Sequence, residues 1–421
     1  MSQPTAVAEN VRPAFPIDWV RSQFPAVEQG VPFAFMDNGA GAQSPRRVLE
    51  AVSEHLLRRN VQRGGRYRQS MEVDASIATA RESVSIFLNA TGADEVAFGM
   101  NATSLIRLVS LGIAYSFPRD RREIIVTDLD HEANIATWIA LEREGAKMAW
   151  WRAREDGFLY VEDLIPLLSS RTRVVACTLA SNATGTIVDV KGAADAAHAA
   201  GAELFVDAVH FGPHGAFNVQ EWGCDYLVCS GYKIFAPHMG FLWGRRAALH
   251  ALPSFREAFI PDKAPDKFEI GTFVYENVAG MDAAIRYIEE LGKGASRTRR
   301  EAIVTGMQAI RGHEAQLSSE FLRRARSIAG LRVYGVTDPD RATARTPTFC
   351  FNLEGLAAAD LCEKLIGRDL GVRDGHMYSP RLMARLGTDA AVRASLVHYN
   401  TIEEVTRLTG ALQELSHSRK N

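Results

Sequence analysis

From Val31 to about residue 280 the chain alternates short apolar runs with longer amphipathic segments. The runs Glu95–Phe98, Glu123–Thr127, Met148–Trp151, Val174–Leu179, Leu204–Val206, Tyr226–Cys229 and Phe241–Trp243 are near-continuously hydrophobic, the signature of strands buried on both faces. Between them Ile77–Leu88, Ala133–Glu144 and Lys191–Ala200 repeat apolar residues at helical spacing. Strands alternating with helices predict an α/β fold with a mostly parallel, seven-stranded sheet covered on both faces. Catalytic groups then gather where parallel strands end at their carboxyl edge.

Beyond Gly280 the pattern changes. Met281–Gly292 and Thr298–Ala329 read as long helices, followed by strand-like runs Leu331–Gly335 and Thr348–Leu353, a helix at Ala357–Ile366 and a closing helix at Ile402–Leu415. The expected organisation is a polar tail with a short helix around Ile17–Gln23 (residues 1–30, packing with the small domain). A large domain over 31–280 and a smaller α+β domain over 281–421 follow.

Composition narrows the function classes. With 421 residues, 47% hydrophobic and 23% charged, the chain has an ordinary globular composition. A formal net charge of −2 supplies no general field for nucleic acid or an anionic membrane. No apolar run approaches the ~18 residues of a membrane span, and Met1–Asn10 lacks a signal-peptide pattern. A cytoplasmic protein is the expectation. Five cysteines (177, 224, 229, 350 and 362) show neither CxxC nor metal-ligand spacing. His210 and His214 lie four apart, but Gly212 and Pro213 break any helix between them, so no metal site is expected. Gly39-Ala-Gly41 does not continue into a dinucleotide fingerprint, and no phosphate-binding G-x-x-x-x-G-K-[ST] string exists.

The chemistry sits at predicted strand ends. Lys233 follows the run ending at Cys229 and Ser230, and Asp207 ends the run beginning at Glu203. An amine and a carboxylate on neighbouring strand ends suit pyridoxal phosphate, which needs a lysine for a Schiff base and an anion to keep its pyridine nitrogen protonated. Gly99-Met-Asn-Ala102-Thr103-Ser104 follows a strand and opens a helix, a natural phosphate site. His131 could lie flat on a ring, Asn182 could donate to a ring oxygen, and Arg393 could grip a carboxylate bidentately. Each of these has a plain structural alternative when taken alone: an N-cap, a surface imidazole, a turn, a surface arginine.

Taken together, in order, they resemble the class V aminotransferases among the fold-type I pyridoxal-phosphate enzymes, and most of all the group II cysteine desulfurases and their relatives. The strings carrying the resemblance run from Met36-Asp-Asn-Gly-Ala-Gly41 through Asp130-His-Glu-Ala-Asn134, Ser181-Asn-Ala-Thr-Gly-Thr186, Val206-Asp-Ala-Val-His210, Ser230-Gly-Tyr-Lys233 and Phe268-Glu-Ile-Gly-Thr272 to Arg393–Thr401. The resemblance implies pyridoxal 5'-phosphate as cofactor and an amino acid as substrate. Lys233, Asp207 and His131 become the catalytic set; Ala102, Thr103, Asn182, His210, Ser230 and Tyr232 join them around the cofactor. Thr272 would complete the phosphate cup from the other subunit of a homodimer. Arg393 would hold the substrate carboxylate, with Asn182, Gly39, Ala40, Arg373, His376 and Tyr378 nearby.

Three positions depart from the family pattern. Desulfurases of this group carry their persulfide-forming thiol in a string like R-x-G-H-H-C; here Arg373-Asp-Gly-His-Met-Tyr378 puts Tyr378 at that place. His210 stands where glutamine usually follows the ring aspartate, and Tyr232 where histidine usually precedes the lysine. The leading expectation is therefore a β-lyase that cuts a C–S or C–Se bond without a persulfide cysteine. An aminotransferase, an amino-acid epimerase and a non-catalytic binding protein remain as alternatives. The loop bearing Arg63, Arg66 and Arg68 is a candidate for a second anionic group on the substrate.

Overall fold

The computed structural model describes residues 15–28, 32–294 and 296–418; the polar tail expected before residue 15 lies outside them. All seven expected strands form one sheet: β1 (Val96–Gly99), β2 (Glu123–Thr127), β3 (Lys147–Trp151), β4 (Thr172–Thr178), β5 (Glu203–Asp207), β6 (Tyr226–Ser230) and β7 (Gly240–Gly244). Their order across the sheet is β1-β7-β6-β5-β4-β2-β3. Only β7 runs against its neighbours, pairing antiparallel with β1 and β6 while every other pair is parallel. The carboxyl ends of β1, β2, β4, β5 and β6 consequently open on one edge.

The continuous hydrophobicity of these strands serves two cores. In β5, Leu204 and Val206 pack on one face of the sheet while Phe205 packs on the other; in β2, Ile125 faces the first core and Ile124 and Val126 the second. Alternate side chains of a strand point to opposite faces, so a strand covered on both must be apolar at every position. The first face is covered by helices such as Arg68–Leu88 and Tyr275–Leu291, the second by Ala102–Tyr115 and Ala133–Ile139. The segment expected as one helix over 133–144 changes to a 3-10 helix at Ala140 and ends at Gly145, whose φ of 87° suits glycine.

The C-terminal strands β8 (Leu331–Tyr334), β9 (Thr348–Leu353), β10 (Arg373–Gly375) and β11 (Ala391–Ser395) form an antiparallel sheet in the order β10-β11-β9-β8. The helices Arg299–Ala325, Ala358–Ile366 and Ile402–His417 pack on it around Phe321, Phe349, Phe351, Leu361 and Leu408. Thr401 and Glu404 close the N-terminus of the last helix as a capping box.

Two N-terminal pieces tie the chain together. Residues Ala34–Phe35 pair in parallel with Leu370–Gly371, and Asp37 bridges Ser395, which sinks Ala34 and Met36 into the C-terminal core. The short helix Ile17–Gln23, where the sequence places it, buries Val20 and sends Arg21 to the Tyr399 carbonyl and Glu404.

At the cleft edge β7 passes close under the first turn of helix Ala102–Tyr115. A Cβ on Gly240 would stand 2.6 Å from the Asn101 carbonyl carbon and 2.8 Å from the Ala102 nitrogen, both backbone atoms. Gly240→Ala should therefore destabilise the protein by about 1–3 kcal/mol, the usual cost of overpacking. Urea unfolding would show it as a lower midpoint, and an unchanged midpoint would contradict this reading of the contact.

Candidate active site

Lys233 is placed by a tight reversal. β6 ends at Ser230, a 3-10 turn spans Gly231–Lys233, and the Gly231 amide donates to the Met239 carbonyl as the chain turns back into β7. A Cβ on Gly231 would lie 2.7 Å from the Pro237 carbonyl oxygen, so the turn needs glycine. The Lys233 side chain points inward and is buried. Burial, followed by the nearby Arg393 cation, pulls its pKa down to about 8, although Asp207 opposes.

Asp207 ends β5 and is also buried; one of its carboxylate oxygens accepts the Val209 amide at 2.9 Å. Burial raises its pKa, while the Val209 amide and Lys233 work the other way. An amine of lowered pKa and a desolvated carboxylate thus share one cleft. With Asn101, Ala102, Thr103, His131, Asn182, His210, Ser230 and Tyr232 they line it.

The helix N-terminus is built as the sequence suggests. Asn101 caps it by accepting the Ser104 amide at 2.9 Å, so the N-cap is present. The cap leaves the first turn of a 14-residue helix at the cleft, with Thr103 and Ser230 beside it.

His131 rests on a buried polar stack that sequence reasoning did not single out. Asp130 accepts from the Thr127 hydroxyl, from the Thr178 amide at 3.0 Å and from the Asn134 amide at 2.7 Å, and Asn134 in turn accepts the Trp138 indole N–H at 2.9 Å. The stack clamps β2 to β4 directly under the cleft. Burial is the first cause that drives the Asp130 pKa up to about 8, and the charge of Asp207 adds to it. His131 Nδ1 accepts the Ala133 amide at 3.0 Å, which leaves Nε2 to carry the proton. Burial, with Lys233 and Arg393, pulls its pKa down to about 4, so at neutral pH the ring is uncharged.

The C-terminal strands close the other side. Arg393 on β11 is buried; it donates to the Asn182 carbonyl at 2.9 Å and to Asp37 at 2.8 Å, while its Nε has no protein partner. Arg373, directly opposite on β10, bonds the other oxygen of Asp37 at 2.8 Å. His210 is buried, shares Nε2 with the Thr348 hydroxyl at 2.9 Å, and leaves Nδ1 unpaired. Burial and the cations Lys233 and Arg393, with His214 between them in importance, hold His210 well below its usual pKa. His214 Nδ1 lies 2.9 Å from a Glu314 carboxylate oxygen; no cluster of His, Cys, Asp and Glu fit to hold a metal is found among the described residues.

Asn182 is turned toward the loop 376–379. Its amide donates to the Met377 carbonyl at 2.7 Å and accepts from Ser379 at 3.0 Å. The Tyr378 carbonyl accepts the Glu132 amide at 2.8 Å. Met377 and Tyr378 both hold left-handed backbone (φ 53° and 58°), a strained pair for two non-glycine residues, sustained by these bonds. The result sets the Tyr378 ring 5.5 Å from His131 and 6.1 Å from His376, exposed at the mouth.

Other expected residues fall around this centre. Gly39 packs against Arg393 and His210; Ala40 is exposed beside Arg373. Tyr232 stacks on His238 at 5.1 Å. Thr272 does not reach the cleft of its own chain: it is exposed, accepts from Gln62 at 2.6 Å, and lines a separate hollow with Arg63 and Tyr275. Arg63 is held there by Asp74 and Glu269, and Arg68 by Glu72. The residues that sequence reasoning missed are Asp130 and Asp37. Both stand inside the quoted strings, but their roles depend on partners on distant strands.

These donors fit a flat, phosphorylated aldehyde: an amine of lowered pKa, a carboxylate across from it, an uncharged imidazole on the wall and a helix N-terminus at one end. Comparison with known proteins agrees. The class-V aminotransferase family model matches residues 34–408. The aminotransferase-like protein FGM3 of Gibberella zeae is 35% identical over 95% of this chain and 98% of its own. A cysteine desulfurase of Enterobacter sp. is 34% identical over 96% and 99%. Among solved structures, the apo cysteine desulfurase of Thermococcus onnurineus superposes with a TM-score of 0.86 at 26% identity, covering 96% of this chain and 98% of that one. The Escherichia coli cysteine desulfurase CsdA gives 0.82 at 25%, covering 96% and 99%. The chain belongs to the class V aminotransferases, pyridoxal-phosphate-dependent enzymes of fold type I. Within that family it stands beside proteins named as cysteine desulfurases.

A lowered Lys233 pKa has a direct consequence for cofactor loading. The amine must be unprotonated to attack an aldehyde, so the rate at which apo-protein takes up pyridoxal phosphate should climb between pH 7 and 9. Its inflection should fall near 8, as followed by visible absorbance. An inflection near 10, where an unperturbed lysine titrates, would contradict the burial argument.

Proposed function

We propose that this protein is a pyridoxal-phosphate-dependent β-lyase that cleaves the C–S or C–Se bond of a cysteine-like amino acid without a persulfide-forming thiol. The observation that carries the reading is the state of the cysteines. All five are buried. Burial pushes Cys224 and Cys350 up to about 12 and Cys362 to about 11, and drives Cys177 and Cys229 upward as well. A thiol kept neutral and away from solvent is a poor sulfur acceptor. The residue at the mouth, where a desulfurase relative would carry its nucleophile, is the phenol Tyr378.

The residues divide the work. Arg393 holds the substrate carboxylate through its unpaired Nε edge, and Gly39 keeps the space over the guanidinium clear. Lys233 Nζ, once free, takes the Cα proton, helped by its lowered pKa. Ala102, Thr103 and Ser230 would hold the cofactor's phosphate, Asp207 would serve its ring nitrogen, and uncharged His131 would cover the ring. His210, whose Nδ1 has no protein partner, would be a neutral group beside the ring. The cofactor, when bound, supplies the electron sink that makes the Cα proton acidic. As the proton leaves, the Cβ–S bond breaks and sulfur departs with the bonding pair as a thiolate. Hydrolysis of the remaining enamine gives pyruvate and ammonia.

The same reading includes a homodimer with shared sites. Thr272, exposed and absent from the lining of its own cleft, shares a hollow with Phe259, which is 81% exposed and suits a covering subunit. No helix among the described residues is long and apolar enough to cross a membrane. Aminotransfer is the second reading, supported by the aminotransferase-like name of the relative from Gibberella zeae.

The test is product analysis with cofactor-loaded protein. Cysteine, selenocysteine or a cysteine S-conjugate should yield pyruvate and ammonia in equal amounts, and Lys233→Ala should slow this by roughly 10²–10⁴-fold and abolish the visible cofactor band. Tyr378→Phe should still release pyruvate. A stoichiometric pyridoxamine form, with keto acid but no ammonia, would favour the transaminase instead.

A further inference from the structure

The cluster around Asp37 bears on which amino acids the site accepts. Arg373 and Arg393 are direct partners in the antiparallel pair of β10 and β11, so their guanidinium groups are forced side by side. Asp37 lies between them. One oxygen accepts from Arg393 at 2.8 Å, the other from Arg373 at 2.8 Å. Its position is fixed by backbone pairing: the Met36 amide donates to the Gly371 carbonyl, and the Ser395 amide to the Met36 carbonyl at 2.6 Å. Two cations and one anion leave a single positive charge. The Nε of buried Arg393 is unpaired, and a Cβ on Gly39 would come within 3.1 Å of the Arg393 guanidinium carbon, so the glycine keeps that face open.

One carboxylate neutralises this cluster. In aspartate or glutamate the second carboxylate lies within about 5 Å of the first by covalent geometry, so it stays within about a screening length of the like charge on Asp37. Of the arginines expected to serve a second anion, Arg63 is bound to Asp74 and Glu269 in the hollow that Thr272 lines, and Arg68 is bound to Glu72. The other charged or titratable groups at the cleft, Lys233, Asp207, His131 and His210, belong to the cofactor end.

We propose that Asp37 is a specificity-determining residue: it holds Arg373 and Arg393 in register for one carboxylate and excludes amino acids whose side chain carries another. This rests on the reading that the site takes an amino acid, but not on whether the outcome is elimination or transamination.

Dissociation constants for cysteine, serine, aspartate and glutamate, taken from spectral perturbation of the cofactor-loaded protein, test it. Wild type should bind the two uncharged side chains at least tenfold more tightly than the acidic ones. Asp37→Asn, of the same shape, should narrow that ratio by about tenfold, since a like-charge contact is then removed. The visible band should persist; the thermal midpoint should fall, because Arg373 and Arg393 lose their shared counter-ion, so the binding ratio is read below that midpoint. Equal binding of acidic and uncharged amino acids by wild type would overturn the proposal without any variant. So would an Asp37→Asn protein that keeps the wild-type ratio. The lyase reading fails separately, if cysteine binds but releases no pyruvate.

Discussion

The chemistry proposed for this protein depends on burying one lysine amine at the carboxyl edge of a parallel sheet. An ammonium group loses most of its hydration there, and the Arg393 cation adds to the cost, so Lys233 is held near the point where it gives up its proton. The fold supplies the place. Because β6 reverses into the antiparallel β7 through Gly231, the lysine is delivered at a strand end instead of being carried away along a helix. The neighbouring strand β5 ends in Asp207, and β4 and β2 end in the loops bearing Asn182 and His131.

A second constraint balances the first. The C-terminal sheet brings two arginines to the same cleft, and the N-terminal segment 34–39 crosses to that sheet with the carboxylate that keeps them together. Cations on the side of the C-terminal sheet and carboxylates under the strand ends set the polarity of the cleft. Anionic groups are drawn to both ends, and the middle is left with an amine, an imidazole without charge and a second imidazole, His210, held neutral by burial.

Much of this was legible in the sequence, for identifiable reasons. The seven strands stood out because burial on both faces makes them apolar at every position, and the lysine, aspartate and histidine stood out because they interrupt or end those runs. The apolar run Thr348–Leu353 coincides with strand β9 at both ends. What stayed hidden was pairing over distance. Nothing local marks Asp37 as the partner of residues 373 and 393, since the register of β10 on β11 decides it. Asp130 looked like one more polar residue before His131, yet its acceptors serve three different elements. Boundaries slipped where geometry, not periodicity, governs, as at the 3-10 turn after Ile139.

The absence of an accessible thiol separates this chain's expected chemistry from that of the desulfurases it resembles. Intact-mass analysis of the protein after turnover with cysteine addresses that directly. The account predicts sulfide and pyruvate in solution and a polypeptide mass unchanged by sulfur. A protein-bound sulfur atom that reductant removes, mapped to any of the five cysteines and formed as fast as pyruvate, would contradict it.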